Sequence, residues 1–250
     1  MKKTFTLLFV ICSATICAAQ NWIQLTVPTT ADIKSSSFIS DHEGWIGTDN
    51  SGQAYIHHTA DSGTTWNAIA VTGGSGGTSY VCFVSSSVGY VVVNTMAFKT
   101  VDGGNTWDPL TIPGVPYYTP YFFNTDTGFI NGDGEVYKTT DGGGTWSIHE
   151  AGAFARIHFL NDNIGCASEN EGDIYITVDG GVTWIYYQTG ELIDHIYSAW
   201  YKQNGQLVYC GHLGSGPFSI ANLEGTSEKY VNEDFETLYD VRFFGNDYGY

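Results

Sequence analysis

The sequence has 250 residues, of which 26 are acidic and nine are lysine or arginine, so its formal net charge at pH 7 is −17. A surface with this excess of negative charge repels phosphate backbones and anionic lipid headgroups. The composition therefore argues against nucleic acid as a partner and against membrane insertion.

The first 19 residues have the features of a secretory signal peptide. Lys2 and Lys3 precede an apolar run at residues 5–16, and small residues follow up to Ala19. The run is too short for a transmembrane helix, and this order of charge, apolar run and small residues is typical of exported proteins. We expect cleavage after Ala19, which leaves 20–250 as a secreted, periplasmic or cell-surface domain.

The first recurring signal along the chain is a Phe followed six residues later by a Gly. An aromatic residue follows that Gly in four of five cases, and Cys166 follows it in the fifth. The five pairs are Phe38–Gly44, Phe83–Gly89, Phe122–Gly128, Phe159–Gly165 and Phe243–Gly249. The spacing predicts two short antiparallel strands at the start of each of several similar units.

The second signal is an eight-residue phrase with the pattern [ST]-x-D-x-G-x-T-W, which occurs four times. Its four copies end in tryptophans that are 41, 39 and 38 residues apart. A period of about 40 residues is typical of propeller blades. The residues of the phrase are Thr59, Asp61, Gly63, Thr65 and Trp66; Thr100, Asp102, Gly104, Thr106 and Trp107; Thr139, Asp141, Gly143, Thr145 and Trp146; and Thr177, Asp179, Gly181, Thr183 and Trp184.

The units are predicted to be four-stranded. In the third unit YTPYFFN, TGFING, EVYKTT and TWSIHE read as successive strands separated by turn residues, and no apolar period of 3.6 predicts a helix. The fold class is therefore an all-β β-propeller with four-stranded antiparallel blades, about five of them plus part of a sixth. The predicted units are 33–74, 78–115, 116–152, 153–190 and 192–236, with a partial unit at 237–250 in a chain that we expect to be truncated. A strand at 21–26 is expected to close the last blade.

The phrase is interpreted as a structural turn. Its glycines suit a tight turn with positive φ, its Asp can accept backbone N–H groups, and its Trp can cover the hairpin. Four equivalent carboxylates on four different blades cannot share one active site, so neither a catalytic nor a metal-binding role is predicted for them.

The phrase resembles the Asp-box, or BNR repeat, of sialidases, sortilin and xyloglucanases. The whole unit, with its aromatic first strand and Gly-aromatic second strand, is most similar to photosystem II assembly factor-like proteins. That resemblance implies an assembly role and a protein partner. Sialidases bind their substrate carboxylate with three arginines, whereas this chain has only Arg156 and Arg242. The arginine-rich patch of the assembly factors has no counterpart here either.

Other chemistry is scarce in the sequence. No HExxH, GxSxG, P-loop or EF-hand pattern occurs, so no catalytic residue, cofactor or metal site is predicted. His57 and His58 are adjacent on a strand and should point to opposite faces. The cysteines left after cleavage, Cys82, Cys166 and Cys210, lie in apolar runs and are expected to be buried.

Two features are candidates for binding. Tyr117, Tyr118 and Tyr121 lie close together between blades, where they could stack on sugars or contact a partner; inter-blade packing is the alternative. The fifth unit lacks the phrase, which either releases a loop for recognition or reflects decay of one repeat.

These observations predict an exported, non-catalytic propeller that acts as a protein-binding or assembly scaffold. The alternative is a glycan-binding or glycoside-hydrolase-like propeller, with a polysaccharide as ligand. The leader resembles those of exported Bacteroidetes proteins, in which such repeats often precede a sorting domain for type IX secretion. No such domain is visible by residue 250.

Overall fold

The computed structural model describes residues 10–11, 25–116, 120–132, 134–149, 154–169, 173–187, 195–201, 206–213, 216–222, 227–228, 243–244 and 248–249. The described residues form 21 β-strands and no helix. None of them therefore belongs to a helix long and apolar enough to cross a membrane.

The strands are short apart from two long ones, β3 and β4. They are β1 (Val10–Ile11), β2 (Asp32–Phe38), β3 (Gly44–Thr59), β4 (Asn67–Phe83), β5 (Gly89–Val93), β6 (Met96–Thr100), β7 (Asp108–Pro109), β8 (Tyr121–Phe122), β9 (Gly128–Gly132), β10 (Glu135–Thr139), β11 (Ser147–His149), β12 (Phe154–Phe159), β13 (Gly165–Glu169), β14 (Ile174–Thr177), β15 (Ile185–Tyr187), β16 (His195–Tyr201), β17 (Gln206–Leu213), β18 (Gly216–Asn222), β19 (Ser227–Glu228), β20 (Phe243–Phe244) and β21 (Tyr248–Gly249).

The chain divides into two compact units. The first comprises Met1–Thr6 and Ile23–Ile148, and the second comprises Leu7–Trp22 and His149–Tyr250. In the first unit the strand order is β2-β3-β4-β5-β6-β7 in one sheet and β11-β10-β9-β8 in another. In the second unit the orders are β12-β13-β14-β15, β16-β17-β18-β19 and β1-β21-β20.

The first blade obtains its two middle strands from β3 alone. Residues 44–49 of β3 pair with β2, and residues 55–58 pair with residues 67–70 of β4. The Thr48 hydroxyl donates to the Tyr55 carbonyl at 3.0 Å. Seven residues of extended strand would span about 23 Å, so β3 must fold back on itself between these two residues.

Strand β4 ends the first blade and begins the second. Its residues 79–83 pair with β5, and β6 and β7 complete the second blade. Between these two parts Gly76 and Gly77 have φ of 60° and 80°, and the Asn94 amide donates to the Ser75 carbonyl at 2.8 Å. The third, fourth and fifth blades are β8–β11, β12–β15 and β16–β19, all antiparallel where their pairing is described.

Each Phe of the six-residue pairs lies directly opposite its Gly on the neighbouring strand. A Cβ added to any of Gly44, Gly89, Gly128 or Gly165 would overlap the ring of that Phe. The Gly is therefore required because the Phe ring lies where a side chain would be. The registers are Phe38↔Gly44, Phe83↔Gly89, Phe122↔Gly128, Phe159↔Gly165 and Phe243↔Gly249.

Aromatic rings connect successive blades of the first unit. Trp45, which follows Gly44, stacks on Phe83 of the second blade with ring centroids 3.8 Å apart. Tyr90 of the second blade stacks in the same way on Phe122 of the third, at 3.4 Å. Trp45, Phe83 and Tyr90 are almost completely buried, so the stacked rings form the contact between one blade and the next.

The predicted all-β fold with four-stranded antiparallel blades is confirmed. The predicted unit bounds, cleavage after Ala19 and closure by 21–26 stay predictions, because residues 12–24 and 229–242 lie outside the described residues. Val10–Ile11, inside the predicted signal peptide, pairs antiparallel with β21.

Candidate functional site

Each eight-residue phrase forms the turn between the third and fourth strands of its blade, and the third blade shows the geometry. The Thr139 hydroxyl donates to Asp141 Oδ1 at 2.8 Å and accepts the Gly143 N–H at 2.9 Å. Asp141 Oδ1 also accepts the Thr145 N–H at 2.8 Å, and Asp141 Oδ2 accepts the Thr145 hydroxyl at 2.7 Å. Gly142 and Gly143 have φ of 71° and 94°, which side chains rarely adopt.

The other three copies repeat this network. The Thr hydroxyl that donates to Oδ2 lies 2.6 Å from Asp61, 2.7 Å from Asp102 and 2.6 Å from Asp179. In every copy the hydroxyl of the first Thr donates to Asp Oδ1 and accepts the N–H of the Gly that the phrase has two residues after the Asp. The distance from the first Thr hydroxyl to Asp Oδ1 is 2.9 Å in the first copy and 2.8 Å in the second and fourth, for Thr59–Asp61, Thr100–Asp102 and Thr177–Asp179. The distance from the same hydroxyl to the Gly nitrogen is 2.9, 2.8 and 2.9 Å for Gly63, Gly104 and Gly181.

These hydrogen bonds favour the ionised form of each carboxylate. The N–H and hydroxyl of Thr106 lower the pKa of Asp102 to about 2, and the hydroxyl and N–H of Thr145 and Thr183 do the same for Asp141 and Asp179. The pKa of Asp61 is lowered by Thr65 in the same way. A carboxylate that is held anionic by its own turn is a poor proton donor or acceptor at neutral pH.

The Trp that ends each phrase packs into its own blade. Trp107, Trp146 and Trp184 meet a Phe of the first strand edge-to-face, with ring centroids 6.3, 6.4 and 5.8 Å apart. The indole N–H of Trp66 donates to the Gly63 carbonyl at 3.1 Å, and that of Trp146 donates to Gly143 at 3.2 Å. The phrase thus joins a polar turn to the apolar interior of the blade.

Contacts across blades were not foreseen from the sequence. Lys99 of the second blade donates to the Gly142 carbonyl in the third-blade turn at 2.9 Å. The Tyr90 hydroxyl donates to the Thr125 carbonyl at 2.8 Å, in a loop whose Asp126 carbonyl accepts the Gly142 N–H at 2.7 Å. The only sequence signal was a Lys directly before the phrase, which does not reveal its partner.

The predicted binding tyrosines are only partly described. Tyr117 and Tyr118 lie outside the described residues. Tyr121 is half-buried on β8 and meets Phe123 edge-to-face at 5.4 Å. That the three tyrosines form one binding surface, or pack between blades, stays a prediction.

The histidines and cysteines have structural surroundings. His57 is buried, whereas His58 stacks on Trp45 and lies 3.1 Å from a Glu43 carboxylate oxygen. Cys166 is buried and Cys82 is half-buried; the side chain of Cys210 is outside the described set. The described part of the chain contains no group of three or more His, Cys, Asp or Glu residues placed to hold a metal ion.

A surface that the sequence reasoning missed lies on the hairpin of β14 and β15. Four large apolar side chains are exposed there, Val178 (62 %), Val182 (52 %), Ile185 (62 %) and Tyr186 (54 %). We call these four residues the fourth-blade patch. The signal was present in the sequence as VDGGVTWIYY, in which apolar residues occupy positions that are mostly small or polar in the other copies.

Comparison with solved structures shows the same fold in several proteins. A structure described as YCF48 bound to D1 peptide has 22 % identity and a TM-score of 0.66, with 88 % of this chain covering 75 % of that one. YCF48 from Cyanidioschyzon merolae has 14 % identity and a TM-score of 0.61, with 91 % covering 95 %. The GH74 enzyme of Niastella koreensis has 15 % identity and a TM-score of 0.62, but 93 % of this chain covers only 38 % of that enzyme.

Sequence comparison identifies the family. No curated protein matches the chain significantly. The profile of the photosynthesis system II assembly factor YCF48 family, however, matches residues 14–149 and 77–218, which together cover most of the sequence. The repeated turns, the β-propeller fold and this match agree, and the chain belongs to the photosynthesis system II assembly factor YCF48 family.

Proposed function

We propose that the protein is an exported, non-catalytic β-propeller that binds another protein and acts as an assembly scaffold. Its family is named for the photosynthesis system II assembly factor YCF48, and a structure with the same fold is described as YCF48 bound to D1 peptide.

The observation that supports the proposal most directly is that the Asp carboxylates of the four phrases are hydrogen-bonded within their own turns. Asp61, Asp102, Asp141 and Asp179 each use both carboxylate oxygens within their own turn. The most regularly repeated acidic groups of the chain therefore stabilise hairpins. A rigid array of such hairpins can present loops to a partner without supplying catalytic groups.

A pair of measurements on the full-length protein tests the proposal. Tagged protein is expressed in its source cells, crosslinked briefly in the cell envelope and purified, and a protein recovered in stoichiometric amount is expected. In parallel, tryptophan fluorescence is titrated with xyloglucan oligosaccharides, and no quenching is expected. Sugar-dependent quenching, or release of reducing ends from xyloglucan, would support the glycan-directed alternative and overturn the scaffold proposal.

Export is tested on the same material. We expect the protein recovered from the envelope or medium to begin at Gln20 when its N-terminus is sequenced. Recovery of protein that starts at Met1 from the cytoplasm alone would contradict this part of the proposal.

A further inference from the structure

The fourth-blade patch is a feature of one blade rather than of the repeat. Its four positions are occupied by Ala60, Thr64, Asn67 and Ala68 in the first blade, and by Val101, Asn105, Asp108 and Pro109 in the second. In the third blade they are Thr140, Gly144, Ser147 and Ile148. Each of those blades carries at most one large apolar side chain at these positions, so folding of the hairpin does not require four.

The patch lies at the end of a sheet. Among the described strands, β15 is the last in the order β12-β13-β14-β15. An apolar strand at such a position invites pairing with another extended chain, and proteins commonly protect it with charge or proline. The second blade has that protection in Asp108 and Pro109 of β7, whereas β15 presents Ile185 and Tyr186 instead.

Tyrosines and carboxylates share one face of this hairpin. Tyr175 and Tyr186 are cross-strand partners, and their ring centroids are 5.7 Å apart. Tyr186 hydrogen-bonds to Asp173, which raises the pKa of Tyr186. Burial raises the pKa of Tyr175, and the negative charges of Glu169 and Asp173 add to the effect. The tyrosine rings therefore lie beside two anionic groups.

The charge of the fourth blade points to the kind of partner. Its described residues between 154 and 187 include Asp162, Glu169, Asp173 and Asp179 but only one lysine or arginine, Arg156, whose Nε is buried. An aromatic ring beside a carboxylate favours a Lys or Arg side chain through cation–π and ionic attraction. The apolar neighbours Val178, Val182 and Ile185 favour aliphatic side chains.

We propose that the fourth-blade patch is a docking site for an extended segment of a partner protein in which aliphatic residues alternate with Lys or Arg. The segment lies along β15, so successive side chains point to opposite faces. Its basic side chains lie over Tyr186 beside Asp173, and its aliphatic side chains cover Ile185. This inference rests on the proposed scaffold function and names the surface and the class of partner.

Fluorescence anisotropy with labelled synthetic peptides tests this directly. In the probe peptide Val alternates with polar residues, two of which are Arg and the others Thr. In its counterpart the two Arg residues are replaced by Glu. We expect the full-length protein to bind the Arg peptide, less tightly as salt is raised, and to bind the Glu peptide at least about tenfold more weakly.

Matched variants assign the binding to the patch. The double variant Ile185→Asn and Tyr186→Ala introduces the pair found in the first blade, Asn67–Ala68, and should weaken binding about tenfold or more. Asp173→Asn should weaken it about threefold. The control is Ile148→Ala, an exposed side chain at the position of Tyr186 in the third blade, and it should leave binding unchanged.

Several outcomes would overturn the inference. One is equal binding of the Arg and Glu peptides, and another is a loss of peptide binding in Ile148→Ala as large as that in the double variant. A third is a concentration-dependent dimer that the double variant abolishes, because the occupant of the patch would then be a second copy of this chain. If thermal unfolding shows that the double variant is misfolded, the single variant Tyr186→Ala gives the answer. If wild type and double variant capture the same envelope protein equally, the fourth-blade patch is not the docking site, whereas the proposed scaffold function is still supported. If no partner is captured and xyloglucan quenches the fluorescence, the scaffold function itself fails.

Discussion

The first and third blades make the same turn, but they differ in the residue that directly follows the Asp of the phrase. Gly142 has φ of 71° in the third blade, whereas the first blade has Ser62 there with φ of 59°. The Ser62 hydroxyl lies 2.7 Å from His42 Nδ1, and the Ser62 N–H donates to the His42 carbonyl at 2.9 Å. A side chain is thus accommodated in a left-handed conformation by a neighbour that binds it.

The third blade has no room for such a solution. A Cβ on Gly142 would lie 2.5 Å from Lys99 Nζ and 2.7 Å from the Thr125 carbonyl oxygen. The Thr125 oxygen is a backbone atom that accepts the Tyr90 hydroxyl, and Lys99 could move away only by giving up its hydrogen bond to the Gly142 carbonyl. The comparison shows that the turn geometry tolerates a serine and that packing against the second blade decides whether one fits.

The largest expected effect is that of Gly142→Ser. Positive φ and the two close contacts together should lower the free energy of unfolding by about 2–4 kcal/mol, as measured by urea denaturation. Gly103→Ser is the matched control, since a Cβ there meets only the Ser86 carbonyl oxygen at 3.0 Å. If both variants lose the same stability, backbone strain alone explains the glycine and the packing argument is wrong.

The next effect should be the same in both blades. Thr139→Val and Thr59→Val each remove a buried hydroxyl that donates to the box Asp and accepts a backbone N–H. We expect each to cost about 1–3 kcal/mol in the urea experiment. A much smaller loss in the first blade would mean that Ser62 and His42 take over the role of the hydroxyl.

A smaller effect should appear as a pH dependence. The pKa of Asp141 falls from an ordinary 3.8 to about 2 in the folded protein. A depressed folded pKa stabilises the fold at pH above the ordinary value, and the stabilisation is lost as pH falls through about 2. The difference in stability between wild type and Asp141→Asn should therefore shrink between pH 4 and pH 2. A difference that stays constant over this range would contradict the role of ionised Asp141.

The smallest effect is expected for Ser62→Gly. Glycine relieves the left-handed strain, but it loses the contact with His42 and increases the freedom of the unfolded chain. These contributions oppose one another, so the free energy of unfolding should change by less than about 0.5 kcal/mol. A clear gain in stability would show that the His42 contact contributes little.

Much of the fold was predictable because it repeats. The phrase ending at Trp146 identifies a hairpin locally, and its glycines signal positive φ without any tertiary information. The continuity of β4 was less accessible. Gly76 and Gly77 read as a connection between units, but Gly77 pairs with Asn50 on β3, and strand pairing outweighs local preference.

The contacts and exposed surfaces at the candidate sites depend on how blades pack together, and a single sequence does not show this packing. Lys99 reaches Gly142 because the third blade packs beside the second, and no local pattern encodes that distance. Val178 and Val182 are residue types that usually fill a core, yet both are exposed in the turn between β14 and β15. Pattern alone predicted the turn but not its neighbours.

The Phe rings that lie over the glycines have a consequence for how such a protein diverges after gene duplication. A Cβ on Gly128 would overlap the Phe122 ring, so a larger residue there requires the residue opposite to be replaced or its ring to turn away. A compensating substitution therefore lies six codons away. In the fifth blade both positions of the pair differ, because strand pairing places Tyr201 opposite Leu207 at the same six-residue spacing, and the Asp-box is missing as well. The fifth copy has thus diverged at both repeated features, whereas the fourth blade keeps Phe159, Gly165 and its Asp-box and differs in the exposed apolar residues of its turn.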